Sequence, residues 1–224
     1  MTTSGASDSW FWELVAPVYE LMWSGPVTEQ LRWEVARALA GADSVADIGC
    51  GTGFMVDGLV ASGVSVVGVD ASKNMLRRAL ALGRVSSAVH CTATQVPLDS
   101  ASVDAVVMTN LLHAHPEPQD VLQEAIRLLR PGGTLVLSWP ADGISPARMY
   151  GIDRAHGRGI VASLAAHCAR TAVGIIATFT AVGRGRRTGR GAGLQRLAQS
   201  SGLTAGAGPR VIAGCQEFLV LQHA

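Results

Sequence analysis

A doubly wound α/β fold is what this 224-residue sequence predicts: about seven strands, mostly parallel with an antiparallel last strand, helices on both faces and an extra helical cap. Three observations carry that reading. From Ser44 onward short β-branched runs alternate with longer helical patterns, and the richest runs are near-continuously apolar, as strands buried on both faces are. A glycine-rich turn follows the first of those runs. Repeated strand–helix–strand units with short links make parallel neighbours, and right-handed crossovers put helices on both faces. Residues 1–224 read as one domain in four parts: an aromatic helical cap (1–40), a ligand-binding core (44–139), a helical lid insertion (141–190), and a C-terminal helix with a β-hairpin (191–224).

Taken in order, the stretch 10–39 reads as helical and carries Trp10, Phe11, Trp12, Tyr19, Trp23 and Trp33, most of the chain's aromatic side chains. Residues 45–48, 65–69, 88–91, 103–109 and 134–139 read as strands. Between them, 54–61, 73–82 and 118–129 read as helices, the second opened by Ser72 and ended near Gly83, the third ended by Pro131-Gly132-Gly133. A helical stretch over 150–180 follows, then a helix over 193–199. Two β-like runs, 204–213 and 216–222, are parted by Gly214-Cys215 as a hairpin requires, so the last strand should run antiparallel to the others.

With 48% hydrophobic and 16% charged residues, the composition excludes a disordered tail protein or a coiled coil. A net charge of +1 is too balanced for a protein whose main partner is nucleic acid. Cys50, Cys91, Cys168 and Cys215 form no Cys-x-x-Cys pair, which indicates neither a metal site nor a disulfide framework. Residues 1–9 are small and polar with no basic run ahead of an apolar one, and the reading is a cytoplasmic protein, monomer or homodimer. The apolar run 159–183 is the one stretch long enough to suggest a membrane span. It holds Arg170 and His167, and an arginine facing lipid costs about 2.5–3.5 kcal/mol. It reads instead as an amphipathic helix, or two broken near Gly174, with Ser163, His167, Arg170, Gly174 and Thr178 on one side and Val161, Leu164, Cys168, Ile175 and Phe179 on another.

The ligand chemistry centres on Val45-Ala46-Asp47-Ile48-Gly49-Cys50-Gly51-Thr52-Gly53, where the first strand turns toward the first helix. Glycines let the backbone turn sharply and let a ligand approach the amides at a helix N-terminus. Asp70 closes the second strand about twenty residues on, where doubly wound folds use a carboxylate to hold ribose hydroxyls. The third glycine, Gly53, comes one residue too early for a dinucleotide fingerprint, and no Gly-Lys-Ser/Thr is present. Asp47 would repel a pyrophosphate but suits an ammonium group. S-adenosylmethionine carries both a ribose and an ammonium.

These motifs resemble those of class I S-adenosylmethionine-dependent methyltransferases of the small ubiquinone/menaquinone-biosynthesis type, whose sheet is Rossmann-like. The matching residues are Asp47 to Gly53; Val66-Val67-Gly68-Val69-Asp70 with Ser72, Met75 and Leu76; Gln95-Val96-Pro97-Leu98; Val103-Asp104-Ala105-Val106-Val107; and Leu128-Leu129-Arg130-Pro131-Gly132-Gly133. Upstream, Ala16-Pro17-Val18-Tyr19-Glu20 resembles the segment that in this group lies over the cofactor's methionine end. The resemblance implies that Asp47, Gly49 and Gly51, within a loop that includes Cys50 and Gly53, hold the methionine moiety. It implies that Asp70 holds the ribose, and that Ala71 and Met75 surround the adenine. Asn110 and Tyr19 meet the methionine end. Where the family has an Asp on the adenine amino group this chain has Thr92, followed by Ala93, a weaker acceptor that implies looser binding. Asp104 resembles a structural residue.

The resemblance implies methyl transfer by in-line displacement, leaving S-adenosylhomocysteine. Such a reaction needs placement and water exclusion more than a base. His113 and His115 follow the fourth strand at the sheet's ligand-binding edge and are the candidate bases. Trp12, Tyr19, Trp139 and His167 are expected near a small, fairly hydrophobic acceptor, secondary-metabolite or quinone-like. A phospholipid-amine N-methyltransferase and a cofactor-binding protein without methyl transfer are the alternatives. A nicotinamide oxidoreductase is disfavoured by the loop spacing and the lack of a Tyr-x-x-x-Lys pair. Arg184, Arg186, Arg187 and Arg190 read as a solvated loop that could meet an anionic substrate.

Overall fold

The computed structural model describes residues 9–180, 196–197, 200 and 202–224. The arginine loop at 184–190 lies outside the described residues, as does most of the helix expected over 193–199. Seven strands form one sheet: β1 (Ser44–Ile48), β2 (Ser65–Asp70), β3 (Ser87–His90), β4 (Val103–Thr109), β5 (Leu129–Pro140), β6 (Thr204–Ile212) and β7 (Gln216–Gln222). Their order is β3-β2-β1-β4-β5-β7-β6. Strands β3 to β5 in that order are parallel neighbours, whereas β7 runs antiparallel to both β5 and β6, as the hairpin spacing predicts.

The near-continuous apolar runs are explained by burial on both faces. Along β4 and β5, Val106, Met108, Leu135, Leu137 and Trp139 join one core cluster, under α5 (Pro118–Leu128), while Ala105, Val107 and Val136 join the other, under α3 (Pro26–Ala38). Successive side chains of a strand point to opposite faces, so a sheet covered twice has no polar side. The remaining helices are α1 (Ser9–Val15), α2 (Tyr19–Trp23), α4 (Lys73–Ala81), α6 (Pro146–Ala155) and α7 (Ile160–Thr180). Ser72 caps α4 as its position predicts, its hydroxyl accepting from the Met75 amide at 3.2 Å.

Three elements differ from the sequence reading. The helix expected over 54–61 is two short 3-10 turns, Phe54–Val56 and Val60–Ser62. Asp57 between them is extended (ψ 132°), held by Arg32 and Arg84, and Gly58 has φ 91°. The glycine-rich loop therefore does not lead into a long helix. Strand β5 begins at Leu129 rather than 134, because Pro131-Gly132-Gly133 forms an irregularity within the strand, between the pairings Val103 with Leu129 and Ala105 with Thr134. The insertion over 150–180 divides after Ala155, and α7 runs through Gly174 unbroken.

Helix α7 is amphipathic as expected, yet its polar side faces inward. Ser163 and Arg170 are buried, whereas Val161, Leu164 and Ile175 are exposed. Asp153 explains the inversion: it is 1% exposed and pairs with Arg158 at 3.2 Å and Arg170 at 2.8 Å. Arg158 also donates to the Leu21 carbonyl at 3.1 Å and Arg170 to that of Met22 at 2.8 Å, so each buried charge is hydrogen-bonded. Among the described residues no helix is long and apolar enough to cross a membrane.

A Cβ at Gly133 would lie 2.8 Å from the Arg130 carbonyl and 3.0 Å from that of Asp104, both backbone atoms that cannot turn aside. Gly133→Ala should destabilise the fold by about 1–3 kcal/mol, read as a lowered urea midpoint with an unchanged slope.

Candidate active site

The C-terminal ends of β1, β2 and β4 open on a cleft of about 290 Å³. Its floor is the loop after β1. The Gly49 and Cys50 amides both donate to the Val69 carbonyl, at 2.7 and 3.0 Å, which folds the loop back over β2. Gly51, in the left-handed region with φ 54°, presents a bare Cα to the Tyr19 ring, which lies 3.7 Å from where a Cβ would stand.

Two carboxylates dominate the electrostatics. Asp47 is 1% exposed, and neither of its oxygens has a hydrogen-bond partner among the described residues. Burial first, and then repulsion by Asp70, push its carboxyl up to about 8. Asp70 at the end of β2 accepts from the Gly51 amide at 2.9 Å and the Ser72 amide at 2.8 Å. Burial still outweighs those bonds and raises its pKa. The same burial, followed by the charges of Asp70 and Asp47, raises the Tyr19 phenol. A pair of buried acids under a glycine cradle has the chemistry to hold a cation that also bears hydroxyls.

Along the cleft, Ala71, Met75, Cys91, Thr92 and Ala93, which follow β2 and β3, line one end; Asn110, Leu111, His113, His115 and Pro140, which follow β4 or close β5, line the other, and Trp12, Tyr19 and Trp23 come from the cap. Thr92 shares a 3.3 Å hydrogen bond with Thr94, so a hydroxyl pair stands at the first end. Asn110 holds a left-handed φ of 55°, its amide donating to the Ser138 carbonyl at 2.8 Å, and its side-chain oxygen is buried without a partner. A second space of about 30 Å³ adjoins the cleft behind Tyr19 and Asn110, bounded also by Cys50, Thr28, Met149 and Gln216.

Most of the residues singled out from sequence therefore meet here: Gly49, Gly51, Asp70, Ala71, Met75, Thr92, Ala93, Asn110, Tyr19, Trp12, His113 and His115 line the cleft, with Asp47 buried beneath and Cys50 beside it. Three do not. A Cβ on Gly53 would stand 3.0 Å from the Arg84 side chain, which makes that glycine a packing contact behind the loop. The alternation of β5 sends Trp139 into the core, 2% exposed. His167 packs edge-on against Tyr150, with ring centroids 5.9 Å apart, away from the cleft lining. His115 lines the cleft, but its Nδ1 accepts from the Glu117 amide at 3.1 Å and burial lowers its pKa. A neutral ring bonded in that way carries its proton on Nε2 and offers the cleft a donor, not a base.

Sequence reasoning missed Trp23 and Arg84. The first was legible, since it stands four residues after Tyr19 on the same face of a helix. The second had no local signal: Arg84 acts on Glu20 and Asp57, far away in the chain.

Residues 46–137 match a methyltransferase domain family. Over 112 residues the chain is 40% identical to a demethylmenaquinone methyltransferase of Clavibacter sepedonicus, covering 47% of this chain and 46% of that one. It is 30% identical over 112 residues to a ubiquinone biosynthesis O-methyltransferase of Alkalilimnicola ehrlichii, covering 46% and 45%. The matched region thus spans less than half of either relative. A solved structure from Thermotoga maritima, described as a SAM-dependent methyltransferase and possible histamine N-methyltransferase, superimposes with a TM-score of 0.62 at 18% identity, over 96% of this chain and 99% of that one, which establishes the shared fold. Residues 46–137 thus match a methyltransferase domain, and the fold around them is the one that structure has. S-adenosylmethionine is the cofactor of such a domain, and the unpartnered Asp47, the bare Gly51 and the ribose-ready Asp70 fit it.

The folded chain holds the Asp47 proton to about pH 8, whereas an unfolded chain releases it near 3.9. Stability of the ligand-free protein should therefore fall as pH rises from about 4 to 8, by at most about 1.4 kcal/mol per unit. Asp47→Asn should raise the melting temperature at pH 8 far more than at pH 5, and at the same time weaken S-adenosylhomocysteine binding by tenfold or more in calorimetry.

Proposed function

We propose that the chain transfers a methyl group from S-adenosylmethionine to a small, fairly hydrophobic acceptor of the quinone-like or secondary-metabolite kind. The observation that carries this is the unpaired Asp47 beneath the glycine loop, next to Asp70 and beside a cleft walled by Trp12, Tyr19, Trp23 and Pro140. The names of the two relatives above, a demethylmenaquinone and a ubiquinone-pathway methyltransferase, support a quinone-like acceptor.

In this reading the Asp47 carboxylate and the Gly49–Gly51 backbone hold the amino-acid end of the cofactor, and Asp70 accepts both ribose hydroxyl hydrogens. Ala71, Met75, Thr92 and Ala93 enclose the adenine. The bound cofactor supplies a methyl carbon already activated by its sulfonium. Trp12, Tyr19, Leu111 and Pro140 would exclude water and hold a flat acceptor in the cleft, which is the placement that such a transfer needs. His113, which also lines the cleft, takes the acceptor's hydroxyl or amine proton, and His115 donates a hydrogen bond to the acceptor.

The test is S-adenosylhomocysteine formation from labelled S-adenosylmethionine, with reduced naphthoquinones, catechols, phenols and primary amines as acceptors. Turnover with a reduced quinone or phenol is expected. His113→Ala should lower kcat about a hundredfold and flatten its dependence on pH, and His115→Ala should act mainly on the acceptor's KM. A protein that binds S-adenosylmethionine and forms no product with any acceptor would overturn the assignment.

A further inference from the structure

Helix α2 is only five residues long, yet it carries both Tyr19 and Trp23 over the cleft; buried Met22 anchors it among Phe11, Val15, Ala169 and Val173, and charged side chains grip it on two further sides. On one side Arg158 and Arg170 bind the Leu21 and Met22 carbonyls. On the other, Glu20 points away from the cleft to Arg84, with Oε1 2.6 Å from Nη1 and Oε2 3.4 Å from Nη2. Arg84 is 8% exposed, and it is absent from the cleft lining. Its guanidinium also donates to Asp57 at 3.1 Å and to the Thr52 carbonyl at 3.2 Å, and it stacks 5.0 Å from the centroid of Phe54. One side chain thus joins the cap helix, the glycine loop between Gly51 and Gly53, and the turn that follows it.

We infer that Arg84 is a positioning residue whose pair with Glu20 is the latch of the cap. It holds the Tyr19 ring against Gly51 and fixes the Thr52 carbonyl, so that a ligand reaches or leaves Asp47 only when the latch opens. The geometry supports this in three ways. The Tyr19 ring stands over the loop, 3.7 Å from where a Cβ on Gly51 would be. Glu20 is its immediate neighbour on a helix too short to be stable alone. The pair is also largely shielded from water, with side-chain exposures of 9% for Arg84 and 27% for Glu20, where a bidentate charge-assisted bond is strong. Breaking such a pair acts chiefly on dissociation. The latch depends on the function proposed above only in taking S-adenosylhomocysteine as the ligand of the cleft.

The experiment is stopped-flow tryptophan fluorescence of S-adenosylhomocysteine release, together with amide hydrogen exchange, on the whole chain. Glu20→Gln leaves Arg84 bonded to Asp57 and Thr52, and should speed release about tenfold while exchange quickens in residues 16–23 and stays unchanged in β1 and β4. Arg84→Met should do the same or more, and Arg84→Lys, which keeps a charge for Glu20, should recover part of the slow release. A uniform loss of protection in every variant, or release and exchange equal to those of the unaltered protein in Glu20→Gln, would overturn the latch. If the unaltered protein fails to bind S-adenosylhomocysteine, the proposed function falls instead. The latch is then decided by whether exchange in residues 16–23 of the ligand-free Glu20→Gln variant quickens.

Discussion

Two carboxylates are brought to one edge of a buried sheet with no cationic side chain of the described residues paired to them, and the rest of the site is arranged around that constraint. Register puts them there: β1 and β2 are parallel with Asp47 opposite Gly68 and Ile48 opposite Val69, so Asp47 and Asp70 reach the same end of the sheet. Burying an ionised carboxylate without a partner costs several kcal/mol, and a protein group normally responds by keeping its proton. Asp47 does so. The same residue type at the opposite edge behaves in the other way. Asp104 opens β4 and accepts from the Ser44 hydroxyl at 2.7 Å, from the Ser44 and Asp43 amides, and from Arg130, and its pKa is lowered. Asp104 fastens strands, whereas Asp47 has no charge partner among the described residues.

The cap follows from this. A site that must exclude water to make its electrostatics count needs a cover, and a cover that admits a ligand must not be part of the core. Helices α1 and α2 meet that need as short segments joined to the body by a small apolar cluster around Phe11, Val15 and Met22, by Glu13 on the Asn74 amide and by the Glu20–Arg84 pair. The inward polar side of α7 belongs to the same design, since Arg170 and Arg158 are buried in order to grip α2 and are themselves balanced by Asp153. The cost is an exposed apolar stripe through Val161, Leu164 and Ile175.

The sheet and the meeting of the glycine loop with Asp70 at one cleft were legible in the sequence because their causes are local. Burial on both faces writes itself into near-continuous apolar runs such as Val103 to Thr109, the glycine spacing marks the turn after β1, and Gly214-Cys215 marks the hairpin. Where the reading went astray, the deciding partner was distant in the chain. The helix expected after Gly53 gives way to an extended Asp57 held by Arg32 and Arg84. Trp139 was assigned to the acceptor by its place at the end of β5, but strand alternation turns it into the core. His167 was placed by segment position alone, and the direction α7 faces was set by Asp153, which no periodicity reveals. The proposal of His113 rather than His115 as base rests on one hydrogen bond, from the Glu117 amide to His115 Nδ1.

The central claim is that Asp47 is an acid held neutral until a cation arrives. The most direct test is the pH titration of its carboxyl carbon by 13C NMR, assigned with Asp47→Asn, in the ligand-free protein and with S-adenosylhomocysteine bound. The account predicts a midpoint of about 8 without ligand, and a fall of at least two units when the ligand's ammonium group is seated against the carboxylate. A midpoint near the ordinary 3.9 in the ligand-free protein, or one that the ligand leaves unmoved, would contradict it.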